Sequence, residues 1–195
     1  MVKGVVYNLL RKALLDSFLE KHKRKVFVSY YHKEDQEYRD KFEKQFGHLF
    51  ISKSVEPGEI DSNISDEYIK RLIQEEYISD TSVLIVLIGQ KTYLRKHVDW
   101  EISAALDKRV GNNYAGLIGL ILPTKNDYGA EKSFNPITIP PRLYDNVKSG
   151  YAKIYDWTDS AENISGWIET AFKNRELLKE KIDNSREQYM RDLGD

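Results

Sequence analysis

DTSVLIVLIGQKTYLRKHVDWEISAALDKR, residues 80–109, runs from an apolar strand pattern through a polar loop into a helical pattern. Val83 to Ile88 are six consecutive branched apolar residues closed by Gly89. A strand this uniformly apolar needs cover on both faces, as a parallel strand has in a layered α/β sheet. Past the loop, Val98, Ile102, Ala105 and Leu106 recur at helical spacing and mark a core stripe. Glu101 falls just beside that stripe, so its carboxylate is expected at the rim of the core, partly desolvated yet able to reach a ligand. Ligands of such sheets bind beyond the carboxyl ends of the strands, which makes Glu101 the first candidate for chemistry. Trp100 points about 200° away from Val98 on the same wheel. It is expected either exposed as a protein contact, or covered by the loop 123–150 or the amino-terminal helix.

Working outward, alternating patterns fill the chain. Residues 3–22 place Val6, Leu9, Leu10, Ala13, Leu14 and Phe18 on one helical face. VFVSY (Val26 to Tyr30) reads as a first buried strand, and Tyr38, Phe42 and Phe46 as the stripe of a first helix. A second strand is expected over His48 to Ser52. Pro57 and Gly58 then punctuate a turn-rich segment, and Ser65 caps a helix with Tyr68, Ile69, Leu72 and Ile73 facing the core. GLIGLIL (Gly116 to Leu122) and Ala152 to Asp156 give the fourth and fifth strands. Four prolines in residues 123–150 argue against regular structure there. Ser160 opens a last helix whose stripe is Ile164, Trp167, Ile168, Ala171 and Phe172. Beyond about Arg175 the charged end reads as a solvated helical extension or a frayed tail. The expected organisation is an amino-terminal helix (1–24), one α/β domain (25–175) and a charged end (176–195). The fold class is a flavodoxin-like three-layer α/β fold on a five-stranded parallel sheet with right-handed crossovers.

Composition narrows the function. Thirty basic and 31 acidic residues leave a net charge of −1, so no bulk field draws the chain to nucleic acid or an anionic membrane. The absence of cysteine removes disulfides, thiol catalysis and cysteine-ligated metals, and four scattered histidines offer no metal cluster. No apolar run is long enough to span a membrane, and a cytoplasmic protein is expected. A G-x-G-x-x-G turn, a P-loop and a serine nucleophile elbow are all missing. Leu87, Ile88 and Gly89 stand where a receiver domain would carry its phosphoaccepting aspartate, and no flavin phosphate cradle follows the first strand.

Three segments in order carry a resemblance: VFVSYYHKED (26–35), SVEPGEIDSNISDEYIKRLI (54–73) and DTSVLIVLIGQKTYLRKHVDWEI (80–102). Together they resemble the TIR-like (Toll/interleukin receptor) family of bacteria and archaea, which includes proteins of the Thoeris anti-phage defence system. The resemblance covers about residues 25–172. It implies an enzyme that cleaves NAD at the nicotinamide–ribose bond, with Glu101 at the place of the family's catalytic glutamate and NAD as substrate rather than cofactor. It also implies an ADP-ribose-derived signal acting on a separate effector protein, a phage-derived trigger, and self-association. The family pattern often has tryptophan four residues before that glutamate; here His97 stands there. The alternative is a non-catalytic interaction module of the same fold.

The chemistry suits a single carboxylate. Cleavage of that bond develops positive charge at the anomeric carbon, which an adjacent carboxylate can stabilise or trap. Nicotinamide leaves as a neutral molecule, so no general acid is required, and neither is a metal. Ser29, Tyr30, Tyr31 and His32 follow the first strand and could line the same cleft, offering ring faces and polar groups to a nucleotide; the alternatives are packed loop aromatics at Tyr30 and Tyr31 and a solvent-facing His32. His97 joins them by its place in the family pattern. Arg95 and Lys96 could meet a pyrophosphate or form a solvated charge pair.

Overall fold

A computed structural model of the chain describes residues 23–53, 65–111, 113–130 and 133–194. The expected amino-terminal helix and most of the segment carrying Pro57 and Gly58, including the Ile64 that precedes the Ser65 cap, lie outside the described residues. The strands are β1 (Lys25–Ser29), β2 (Ile51–Ser52), β3 (Val83–Ile88), β4 (Gly116–Ile121) and β5 (Lys153–Asp156). All neighbours pair in parallel, in the order β2-β1-β3-β4-β5. The helices are α1 (His32–Phe46), α2 (Asp66–Leu72), α3 (Lys96–Ala105), α4 (Lys108–Gly111), α5 (Pro141–Lys148) and α6 (Ala161–Leu177). This is the expected five-stranded parallel α/β sheet.

Side-chain alternation assigns the two layers. Leu84, Val86 and Ile88 of β3 join Phe27 beneath α2, α3 and α5, while Val83, Ile85 and Leu87 join Val26 and Val28 beneath α1 and α6. Every residue of β3 and β4 is buried, which the continuous apolar runs required. At Gly116 a Cβ would lie 2.2 Å from the Ala171 carbonyl, so glycine is what lets α6 settle directly on β4. The Ser65 hydroxyl accepts the Tyr68 amide at 3.3 Å and caps α2 as its sequence indicates. A π-helical turn, Ile73–Ile78, continues that helix.

Several expectations need correction. The second strand has two residues rather than five, because Gly47–Leu49 form a 3-10 turn instead. Tyr68 is exposed and only Ile69 and Ile73 of the α2 stripe are fully buried. The proline-rich stretch is not irregular throughout: Pro136–Thr138 make a 3-10 turn capped by Asn135, and Pro141 starts the eight-residue α5. Proline has no amide to lose at a helix's first turn, so these prolines start helices rather than forbid them. The charged end is neither a helical extension nor a frayed tail. After α6 and a 3-10 turn, Lys179–Lys181, residues 183–194 run without regular structure across α3 and α5, to which they are hydrogen-bonded at several points.

Candidate functional site

The strand order reverses direction between β1 and β3, and the chain leaves both strands at the same edge of the sheet. A crevice opens at such a switch point because the two following segments diverge to opposite faces. Ser29 ends β1 there. Glu101, from the second turn of α3, approaches the same place from the other side. The first helix contributes as well, since its buried positions Asp35, Arg39, Phe42 and Phe46 step by four, three and four residues. The stripe that is aromatic under the sheet becomes charged where it reaches the sheet's edge.

Glu101 is more deeply placed than its helical position suggests. Only 5% of it is exposed, so it is a core carboxyl rather than a rim one. Burial opposes ionisation and raises its pKa from the ordinary 4.5 to about 8, with the Ser29 hydroxyl pulling weakly the other way. Ser29 Oγ is itself buried and, despite that proximity, has no hydrogen-bond partner of good geometry among the described residues. An unsatisfied hydroxyl in such a position costs about 1–3 kcal/mol, a penalty that a polar ligand could remove. Glu101 and Ser29 therefore form a buried polar pair at the switch point.

Aromatic and basic groups border this pair. Tyr30 is buried, donates its hydroxyl to Gln36 Oε1 at 2.7 Å, and stacks on His32 with ring centroids 4.3 Å apart. The Tyr30 phenol is shifted up, by burial first and by Glu101 in part, which places the two groups within electrostatic reach. His32 and His97 both keep an exposed edge yet are depressed in pKa by desolvation, because each is packed against protein on its other face. His97 also lowers His32 electrostatically, and both shifts favour the neutral ring. Arg39, 6% exposed, acts on both Tyr30 and His32.

Tyr31 and Arg95 belong to an adjoining cluster. The Arg95 guanidinium lies over the Tyr31 ring, 4.4 Å from its centroid, and its Nη1 donates to Asp192 at 3.0 Å. Lys96 Nζ pairs with Asp66 at 2.6 Å while its backbone N–H donates to Asp192 at 2.7 Å. Neither cation is a solvated charge at a helix start: Arg95 is buried. Trp100 is also corrected, being 3% exposed. Its Nε1 donates to the Tyr189 carbonyl at 2.8 Å, and Lys70 and Lys96 lie over its ring at 4.7 and 5.3 Å, so α2, α3 and the segment after α6 all meet it, while the amino-terminal helix expected as a possible cover lies outside the described residues. A ring buried within its own chain offers no contact surface to a partner.

Gly89 and Thr92 fix the loop between β3 and α3. The Gly89 amide donates to Thr92 Oγ1 at 2.8 Å, and that hydroxyl lies 3.2 Å from Asp35 Oδ2. A Cβ on Gly89 would stand 2.2 Å from Asp35 Oδ1. Burial lifts the Asp35 carboxyl to about 6. Among the described residues, no three His, Asp or Glu side chains cluster as metal ligands, and no helix is long and apolar enough to cross a membrane. A separate cavity of about 500 Å³ opens at the ends of β4 and β5, lined by Phe134, Trp157 and Trp167, with Asp156 at its wall.

The family model for the Thoeris protein ThsB, TIR-like domain, matches residues 27–127. The chain belongs to this family. The match runs from β1 through α3 and β4, so it contains the switch point and Glu101. Among solved structures, the TIR domains of the activated Roq1 resistosome directly recognizing the pathogen effector XopQ align over 78% of this chain and 84% of theirs, at 8% identity and a TM-score of 0.38. No curated protein matches the chain. In this ThsB-type TIR-like domain, Asp35 and Arg39 are the site-edge residues that the sequence reading passed over. Their signal was present: they extend the Phe42–Phe46 stripe by helical steps, and charged residues on a core stripe mark the point where a core gives way to a site.

Proposed function

We propose that this TIR-like domain is an NAD-consuming enzyme of immune signalling, and that Glu101 acts at the anomeric carbon of the nicotinamide-bearing ribose. The observation that carries this reading is the Glu101–Ser29 pair: a buried carboxyl whose ionisation burial opposes, beside a buried hydroxyl that makes no well-formed hydrogen bond among the described residues, at the sheet's switch point. A carboxyl whose pKa is raised by burial, lying where ligands of such sheets bind, is a candidate functional group on physical grounds.

The geometry suggests how the groups divide the work. As nicotinamide departs, positive charge grows on the ribose, and a carboxylate in a poorly solvated site stabilises it strongly. Ser29 Oγ supplies a hydrogen bond to a ribose hydroxyl and loses its own penalty in doing so. The stacked Tyr30 and His32 provide a ring face for a base, and Arg39 adds positive potential beside that pair. The product is an ADP-ribose derivative, cyclic or conjugated, suited to act on a separate effector. Self-association and a phage-derived trigger belong to the same proposal. The interaction-module alternative loses its chief residue with the burial of Trp100.

Purified protein incubated with NAD, with and without lysate from phage-infected cells, is the direct test, read by chromatographic release of nicotinamide. We expect release that disappears in Glu101→Gln and falls at least tenfold in Ser29→Ala, roughly the effect of losing one positioned hydrogen bond. Equal release by wild type and Glu101→Gln under triggering conditions would overturn the assignment.

A further inference from the structure

Residues 183–194 contain no helix or strand, yet they are bound to the start and the middle of α3. At one point Asp99 Oδ2 accepts the Tyr189 amide at 2.9 Å and Trp100 Nε1 donates to the Tyr189 carbonyl at 2.8 Å. At the other, the Asp192 carboxylate accepts the Lys96 amide at 2.7 Å and Arg95 Nη1 at 3.0 Å. Leu193 closes the contact, its amide donating to the Leu94 carbonyl at 2.9 Å. Asp99 is tied in turn to the buried Arg142 at 2.9 Å, so the strap rests on a fixed ion pair.

Three features set this strap apart from ordinary tail packing. First, none of its residues is fully buried, and Met190 is 84% exposed. Hydrogen bonds and ion pairs hold it rather than apolar burial, and such bonds can be exchanged for those of a ligand at little net cost. Second, Asp99 and Trp100, which hold Tyr189, directly precede Glu101 on the same helix. A change in the strap therefore bears on the position of the catalytic candidate through one rigid element. Third, Asp192 places an anion on a buried arginine and on the first amide of a ten-residue helix, where helix dipole and guanidinium both favour negative charge.

We propose that residues 183–194 are a displaceable clasp, which holds α3 and Glu101 in a resting position until a phosphate-bearing ligand takes the place of the Asp192 carboxylate on Arg95 and the Lys96 amide. The inference rests on the nucleotide reading of the Glu101 site, because it is the pyrophosphate of such a substrate that competes with Asp192. An internal carboxylate in this position lowers apparent affinity for an external anion by the fraction of time the site is open. It also prevents the site from responding to weak anions.

Inorganic pyrophosphate is the probe, with binding measured by calorimetry and the clasp followed by amide hydrogen exchange on the full chain. Asp192→Asn keeps the side chain's shape and removes its charge. We expect pyrophosphate to bind that variant about tenfold more tightly than wild type, and the gain to vanish when Arg95→Gln is added. In wild type, saturating pyrophosphate should speed exchange at the Tyr189 and Leu193 amides and along α3 through Glu101. Equal affinity in wild type and Asp192→Asn, no binding by either, or unchanged exchange at Tyr189 and Leu193 overturns the clasp. Neither readout uses NAD turnover. A working clasp in a protein that releases no nicotinamide sinks the proposed function alone, whereas nicotinamide release with an unresponsive clasp sinks this inference alone.

Discussion

Replacing Glu101 by glutamine should make the protein more stable, and increasingly so as pH rises. The carboxyl titrates near 4.5 when unfolded and near 8 in the folded chain, so the folded state binds the proton more tightly. Stability from this group is fully present below about pH 4.5 and is lost as pH climbs through the folded value, after which the loss is complete. At about 1.4 kcal/mol per pH unit, the gap between the two values comes to roughly 5 kcal/mol. Water drawn in around the ionised group relieves part of that cost, so the expected loss is about 2–5 kcal/mol. Glutamine has nearly the same shape and no ionisation to suppress.

Urea unfolding of wild type and Glu101→Gln at pH 5, 7 and 8.5 measures the difference. The two proteins should agree within about 1 kcal/mol at pH 5, and the variant should lead by at least 2 kcal/mol at pH 8.5. Asp35 is also raised by burial, to about 6, and weakens both proteins alike over the lower part of the range. Its contribution cancels in the comparison. Parallel pH profiles, or a variant less stable than wild type at pH 8.5, would show that Glu101 is not a buried neutral acid and would remove the physical ground for its role.

On the proposed function, nicotinamide release at subsaturating NAD should rise about tenfold per pH unit below pH 8 and level off above it; a flat profile from pH 6 to 9 counts against an ionising Glu101. Arg142→Ala leaves Asp99 charged and buried, so urea unfolding should show a loss of about 3–5 kcal/mol, and a loss under 1 kcal/mol would mean that Asp99 is not held by this pair. Gly89→Ala sets a methyl against Asp35 and should cost about 1–3 kcal/mol. Adding Asp35→Ala should recover most of that loss in a double-mutant cycle, and strict additivity would show that the carboxyl does not pack on Gly89.

The parts of this fold legible in the sequence are those where one local pattern has one physical solution. Val83–Ile88 and Gly116–Ile121 can only be doubly covered strands, and Ser65 can cap only the helix that follows it. Glu101 was found by pattern but its depth was not, because a helical wheel measures angle from the stripe and not what lies above the helix. Trp100 shows the same limit. Its angle allowed either exposure or cover by residues 123–150 or the amino-terminal helix, yet the carbonyl its indole meets lies 89 residues downstream, in a polar stretch with no periodicity that would announce a docking site. Asp192 on Arg95 is likewise a contact between charged residues far apart in the chain, which no local pattern pairs. Tertiary pairings of charged surface segments leave little trace in a single sequence, whereas apolar periodicity leaves a strong one.

Burial of Glu101 gives the proposed reaction a built-in restraint. With a pKa near 8, about one site in ten is ionised at pH 7, so the resting protein holds mostly a neutral acid. The oxidised nicotinamide ring is cationic, and a cation beside a buried carboxyl favours its ionised form. Binding of that ring would therefore charge Glu101 at the moment when charge is needed, and departure of neutral nicotinamide would transfer the stabilised positive charge to the ribose. A carboxylate already exposed and ionised would gain less in the transition state, since water would have screened it in both states. On the proposed function, the energetic cost of keeping Glu101 in the core would be the source of selectivity for a cationic leaving group. The same buried glutamate that raises stability when replaced by glutamine should on this account be the one whose replacement abolishes turnover.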